Sequence, residues 1–223
     1  METAERRRNL RESLIDAAEQ EIAAQGLRGV KARTLADRIG CAVGAIYNVV
    51  ADLDELIMLV NSRTLAALEA ELLAAGRPPY LADEPRPESA IAQLCSMALA
   101  YLDFATVRRP RWRAVFEHRL PPGKSVPKWY RDDQMRLFSY VEKPVADLVP
   151  GLSDARRALL ARSLFSAVHG LVTLGLEEKL QALDPRSLRE QIMIVVSAIG
   201  RGLEHDPEKW APVFGKDHAS GKS

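Results

Sequence analysis

Apolar residues recur along this chain at helical spacing almost from end to end. Leu10, Leu14, Ala18 and Ile22 stand four apart and predict a first helix over residues 3 to 25 with one buried face. Gly26 closes it, and Leu27 and Val30 tuck under the second helix. Two short helices come next, about Ala32 to Ile39 and about Val43 to Val49, with Leu35, Ile39 and Ile46 set to fill the angle between them. Asp52, followed three residues on by Glu55, has the outline of a capping box. It starts a fourth helix that runs to about Ala75, its apolar face carrying Leu56, Leu59, Val60, Leu65, Leu68 and Leu72. The turn-rich stretch GRPPYLADEPRP (76 to 87) interrupts the pattern. Ile91, Leu94, Cys95, Ala98, Leu102 and Ala105 then mark a helix from Glu88 to Val107, and Pro110 suits the first turn of a short one carrying Trp112, Val115 and Phe116. After a loop at 119 to 127, a helix over Lys128 to Val149 is expected to kink or end early at Pro144. Ser153 caps the next helix. No segment requires a strand, so the fold class is all-α.

The stretch from Leu27 to Leu56 carries the strongest local signal. Ala36, Gly40 and Ile46 fall at intervals of four and six residues, the spacing of a helix-turn-helix. Ala36 must be small because the second helix crosses close over it. Gly40 ends the first helix in a left-handed conformation that costs other residues energy. Such a unit reads DNA when its second helix is exposed to the major groove.

The last two helices differ from the rest. Residues 158 to 176 are apolar nearly all round, so that helix must be covered on both sides. A membrane span is disfavoured by Arg162, His169, two glycines and several hydroxyl side chains within it. In the final helix, Asp184 caps, Pro185 takes the first position, and Leu188, Ile192, Val195, Val196, Ile199 and Leu203 form one stripe. Two such helices from each of two subunits would make a four-helix homodimer interface, a kind that usually buries about 2,000 Å² or more. The tail from Asp206 is expected to be loose, with Trp210 and Phe214 able to dock.

Composition adds limits. Hydrophobic residues make up 47% of the 223 and aromatics 6%, with Ala and Leu dominant, which favours helix and allows a substantial core. The net charge is +1, so DNA binding would need a local basic surface rather than a global field. Arg6, Arg7, Arg8 and Arg11 crowd the start of the first helix, where positive charge opposes the helix dipole, and they are placed for phosphate contact or for a solvated end. Cys41 and Cys95 are read as reduced thiols, and no apolar leader follows Met1, so a cytoplasmic location is expected. Enzyme chemistry finds no footing. Gly123-Lys124-Ser125 echoes the end of a phosphate-binding loop, but His118 stands where its first glycine belongs. His118, His169, His205 and His218 lack metal-ligand spacing. No metal and no cofactor are implied.

The segment TLADRIGCAVGAIYNVVADLDELI (34 to 57) resembles the TetR family of bacterial transcriptional regulators. The features that carry the likeness are Gly40 at the helix end, the small pair Gly44-Ala45, Tyr47 on the recognition helix, and the linker from Asp52 to Leu56. With the first helix, the strong match covers roughly the N-terminal quarter. Further on, FSAVHG (165 to 170) is weakly similar to the Trp-His-Gly segment of one C-terminal subclass, with Phe165 in place of Trp. Three features depart from the pattern. Lys31 and Ala42 stand where Ser or Thr caps are common, Val49-Val50 replaces an aromatic pair, and Leu53 replaces a Lys that contacts phosphate in many members. A missing cap costs about 0.5–2 kcal/mol.

The resemblance implies three parts: a helix-turn-helix DNA-binding domain over 1–51, a helical effector-binding and dimerisation domain over 52–205, and a tail over 206–223. On the head, Lys31 and Arg33 are the expected phosphate binders, and Tyr47 reaches a phosphate as its family counterpart does. Ala42, Val43, Gly44 and Ala45 are too small for side-chain hydrogen bonds but allow close approach and thymine-methyl contact, while Asn48 could read adenine or touch a phosphate. Ligand-lining candidates are Met97, Tyr101, Trp112, Phe116, Trp129, Phe138, Phe165 and His169, for each of which ordinary core packing is the favoured alternative. Their character suits a small apolar or aromatic effector. The expected function is a dimeric repressor that binds a palindromic double-stranded operator, its two heads about 34–36 Å apart or a multiple of that, and that leaves it when the effector binds. The alternative is a dimeric small-molecule-binding protein with a weakened DNA head.

Overall fold

A computed structural model describes residues 2–76, 87–177 and 184–205. Among these there are nine α-helices and no strand: α1 (Glu2–Gln25), α2 (Ala32–Ile39), α3 (Val43–Ile46), α4 (Leu53–Ala75), α5 (Pro87–Val107), α6 (Arg109–Glu117), α7 (Lys128–Leu148), α8 (Asp154–Leu176) and α9 (Pro185–His205). The all-α expectation holds. The expected boundary stretch lies largely, and the tail with Trp210 and Phe214 wholly, outside the described residues.

The chain forms two compact units, Met1–Gly76 with Leu99–Tyr140, and Arg77–Ala98 with Val141–Ser223. In the first, the predicted face of α1 is buried, with Leu14, Ala18 and Ile22 at 0% exposure. They meet Leu35, Ala36, Ile46, Val49 and Val50 from the helix-turn-helix and Leu56 and Val60 from α4, and α6 adds Ala114 to the same core. Polar clamps fix the helices around it. The Arg63 guanidinium on α4 reaches Asp16 at 2.5 Å, Glu12 at 2.6 Å and Glu19 at 3.2 Å on α1. Arg111 on α6 joins Glu19 at 2.7 Å. Farther along α4, Ser62 donates to Asp133 of α7, Tyr140 donates to Glu69 at 2.5 Å, and Arg136 pairs with Glu69 at 3.0 Å. The head, α4, α6 and the first part of α7 are thereby tied by charge as well as by apolar contact.

The second unit has a smaller core of Ala90, Leu148, Val149 and Leu203, flanked by Ile91, Leu152, Leu160 and Ile199. Ser153 caps α8 by accepting from the Arg156 backbone N–H at 3.4 Å. On α8 the buried residues are Ala161, Leu164, Val168 and Val172, and α9 packs along it. Leu159 and Leu174 on α8 stay 53% and 56% exposed, and Ile194 on α9 stays 59% exposed. Residues 88–107 and 154–176 are long and apolar enough to cross a membrane by length and composition.

Two local expectations need correction. Helix α3 ends at Ile46 rather than near Val49. The backbone N–H of Asn48 bonds the Ala45 carbonyl and that of Val49 bonds Ile46, the three-residue spacing of tight turns, since burial of Val49 and Val50 pulls the chain off the helical path. Of the two expectations for Pro144, a kink or an early end, the early end is overturned, since α7 continues to Leu148.

Candidate nucleic-acid interface

Helix α2 ends on Gly40 at φ 68°, ψ 40°, where the Cys41 backbone N–H bonds the Ala36 carbonyl at 3.0 Å. An added Cβ there would meet nothing within 4 Å, so the demand for glycine comes from the backbone angle alone. Ala36 is 1% exposed and Ile46 0%, as the crossing of α3 over α2 requires. Neither helix has a side-chain cap, since Lys31 and Ala42 at the N-cap positions make no such bond. Packing takes over that role. A further clamp holds α2 to α1, because the Glu21 carboxylate, 1% exposed, accepts from Arg38 at 2.5 Å and from Gln25 at 3.0 Å.

The outward surface of the helix-turn-helix is set by this frame. With the inner face occupied by Leu35, Ala36 and Ile46, the residues expected to face DNA are left outward. Lys31, Arg33, Ala42, Val43, Gly44, Tyr47 and Asn48 are exposed, and Ala45 is half-buried. Tyr47 keeps 48% of its surface and Val43 40%, large values for such side chains on a helix this well anchored. Arg6, Arg7 and Arg8 are exposed too, whereas Arg11 lies 3.7 Å from Glu55.

At the start of α4, Asp52 accepts from the Glu55 backbone N–H at 2.8 Å, and the Glu55 carboxylate accepts from the Ala51 N–H at 2.6 Å, a reciprocal cap. The same turn holds residues whose partnership the sequence did not reveal. Lys124, on the loop between α6 and α7, lies 2.5 Å from Asp52 and 2.9 Å from Asp54. His118, the C-cap of α6, lies 3.0 Å from Asp54. Hydrogen bonds hold both carboxyls below their ordinary range, Asp52 chiefly through Lys124 and Asp54 chiefly through His118. The acidic pair flanking Leu53 was visible in the sequence. Its cation, 72 residues from Asp52, was not.

The ligand-lining candidates fall into separate groups. In the first unit, Tyr101 and Trp112 are 4% exposed and bonded to each other, and Phe116 packs 5.6 Å from Trp112, ring centre to ring centre. Trp129 is 38% exposed beside Tyr130, and Phe138 is half-buried. In the second unit, Met97 is buried, and Phe165 stacks on His169 at 5.4 Å with planes 20° apart. Burial pushes the His169 imidazole below its ordinary pKa, and Thr173 lies 3.4 Å from its Nε2.

Residues 94–197 match the family described as tetracyclin repressor-like, C-terminal domain. That part of the chain is similar to the C-terminal domain of TetR-type regulators. Solved TetR-type structures share its fold over most of their length. A TetR-family transcriptional regulator from Streptomyces coelicolor superposes with a TM-score of 0.64 at 17% identity, over 90% of this chain and 85% of the other. Another TetR from the same organism gives 0.56 at 19% identity, over 86% and 96%. A Rhodococcus sp. RHA1 protein of unknown function gives 0.63 at 24% identity, over 86% and 94%. No curated protein matches the sequence. Both Streptomyces coelicolor proteins are described as transcriptional regulators.

Proposed function

We propose that this chain is a dimeric, ligand-responsive transcriptional repressor of the TetR family that binds a palindromic double-stranded operator. The observation that carries the reading is the outward set of Lys31, Arg33, Tyr47 and Asn48 on a helix-turn-helix whose inner face is fully packed. Two cations and two polar tips on a rigid convex edge suit phosphate contact, and the small residues Ala42 to Ala45 let the edge approach the groove closely. In this reading residues 1–51 form the reading head and residues 52–205 the effector-binding and dimerisation region. The exposed apolar residues Leu159, Leu174, Met193 and Ile194 on α8 and α9 support dimerisation, because a partner's equivalent helices would cover them. The aromatic candidates on α5 to α8 support a small apolar or aromatic effector. Coupling between the sites would be worth about 1–3 kcal/mol.

A gel-shift titration against DNA from upstream of its own gene tests the reading. Retardation at nanomolar protein, lost on addition of the co-purifying small molecule, is the expected result. Absence of any sequence-selective complex at low salt would favour the second reading, a dimeric small-molecule-binding protein with a weakened DNA head. That reading draws on Leu53 between two carboxylates and on the uncapped starts of α2 and α3.

A further inference from the structure

The loop between α6 and α7 is built to deliver one cation to one place. Pro121 and Pro122 restrict its backbone, Gly123 turns it at φ 85°, and the Lys124 N–H closes the turn on the Pro121 carbonyl at 3.1 Å. Leu120 and Val126, on either side, pack against Met58, Leu65 and Tyr130, so the loop is seated rather than free. Its lysine then spans both carboxylates of the first α4 turn, six and eight residues beyond Ile46 at the end of the recognition helix. His118, its side chain 8% exposed, holds the second oxygen of Asp54 from the end of α6. Four groups from three elements therefore meet at the point where the head joins α4.

We propose that this loop is an electrostatic latch on the reading head, in which Lys124 neutralises the Asp52–Asp54 pair and its withdrawal turns that pair against the DNA backbone. The proposal rests on the DNA-binding reading above. Its physical basis is sign and distance. With Lys124 in place it and the Asp52–Asp54 pair together carry one net negative charge, and without it the pair carries two, beside a surface that must approach a polyanion. Asp52 and Asp54 keep 44% and 26% of their side-chain surface, so their charge reaches solvent and any ligand there. The loop is also well placed to be moved. It joins α6, which carries Trp112 and Phe116, to α7, which carries Trp129 and Phe138, so an effector that shifts either helix draws on the latch. Lys124 is thus a positioning residue: it acts on DNA through the two aspartates.

The test compares the full-length protein with Lys124→Ala, with Asp52→Asn/Asp54→Asn, and with the triple variant, each checked by circular dichroism and thermal melting. Asn keeps the N-cap of α4, so the head should fold in all four. DNA affinity is measured on one operator fragment from low to high salt. Lys124→Ala should bind about tenfold more weakly at low salt, with the deficit shrinking as salt rises. The triple variant should return to within about threefold of wild type. Unchanged affinity of a folded Lys124→Ala variant would overturn the latch. So would a triple variant as weak as Lys124→Ala, since Lys124 would then be touching DNA itself. If the wild-type protein binds no DNA at any salt, the regulator reading falls and the latch falls with it, whereas the first two results strike the latch alone.

Discussion

The Trp112 indole N–H donates to the Tyr101 hydroxyl at 2.8 Å, and their rings meet edge to face with centres 6.2 Å apart. Both side chains are buried, one on α5 and one on α6, so the bond joins two helices inside the first unit. Burial raises the Tyr101 pKa far above its ordinary value, and the hydroxyl stays neutral at all working pH. Tyr101→Phe removes the acceptor from a buried N–H and should cost about 1–3 kcal/mol in urea unfolding. A loss under a few tenths would show that the hydroxyl serves something other than this helix pair.

Gly40→Ala isolates a backbone effect, because the new methyl would meet no neighbour while its residue would sit at φ 68°. The expected loss is about 1–2 kcal/mol, seen as a lower melting temperature. Gly40→Asn should recover part of it, since Asn tolerates the left-handed region. Equal destabilisation by Ala and Asn would argue for a steric cause.

Arg33 is exposed at the head of α2. Arg33→Ala should weaken operator binding and lower the slope of log affinity against log salt by roughly one phosphate contact. An unchanged slope would take Arg33 out of the interface.

Acid should loosen the start of α4. Asp52 and Asp54 have folded pKa values below the ordinary 3.8, held there by Lys124, His118 and the Glu55 backbone, with Glu55 and Arg11 the other charges nearby. Their contribution to stability is therefore complete above the unfolded value and is lost as pH falls through the lower folded one. Unfolding titrations at pH 5 and pH 3 should show wild type losing more stability than Asp52→Asn/Asp54→Asn. Parallel losses would mean that the pair adds nothing in the folded state.

Charge placed on the outer faces of α8 and α9 tests the dimer. Leu174→Glu with Ile194→Glu changes two exposed apolar residues that the chain's own core does not use. Light scattering should show a folded monomer in place of a dimer. A dimer that survives both substitutions would place the interface elsewhere.

Much of this was legible along the chain because its causes are local. The four-residue rhythm of Leu14, Ala18 and Ile22 allows only one burial face, and Asp52 with Glu55 specifies a helix start within a single turn. Ala36, Gly40 and Ile46 act over ten residues, so their spacing alone predicts the crossing of α2 and α3. The length of α3 was harder to read, since Val49 and Val50 leave the helix to fill a core built partly by α4.

The sequence by itself therefore determined the helices, the helix-turn-helix frame and the small outward residues at the start of α3, because periodicity, caps and left-handed glycines operate between near neighbours. Only the tertiary structure decided what each charge faces. Lys124 reads as a loop lysine until folding sets it 2.5 Å from Asp52, and Glu21 gains its Arg38 partner only when α2 packs on α1. Tyr101 and Trp112 stand eleven residues apart in the sequence, and only the packing of α5 against α6 brings them into one hydrogen bond. Such pairs depend on how far apart the helices come to rest, a distance that no short-range spacing encodes.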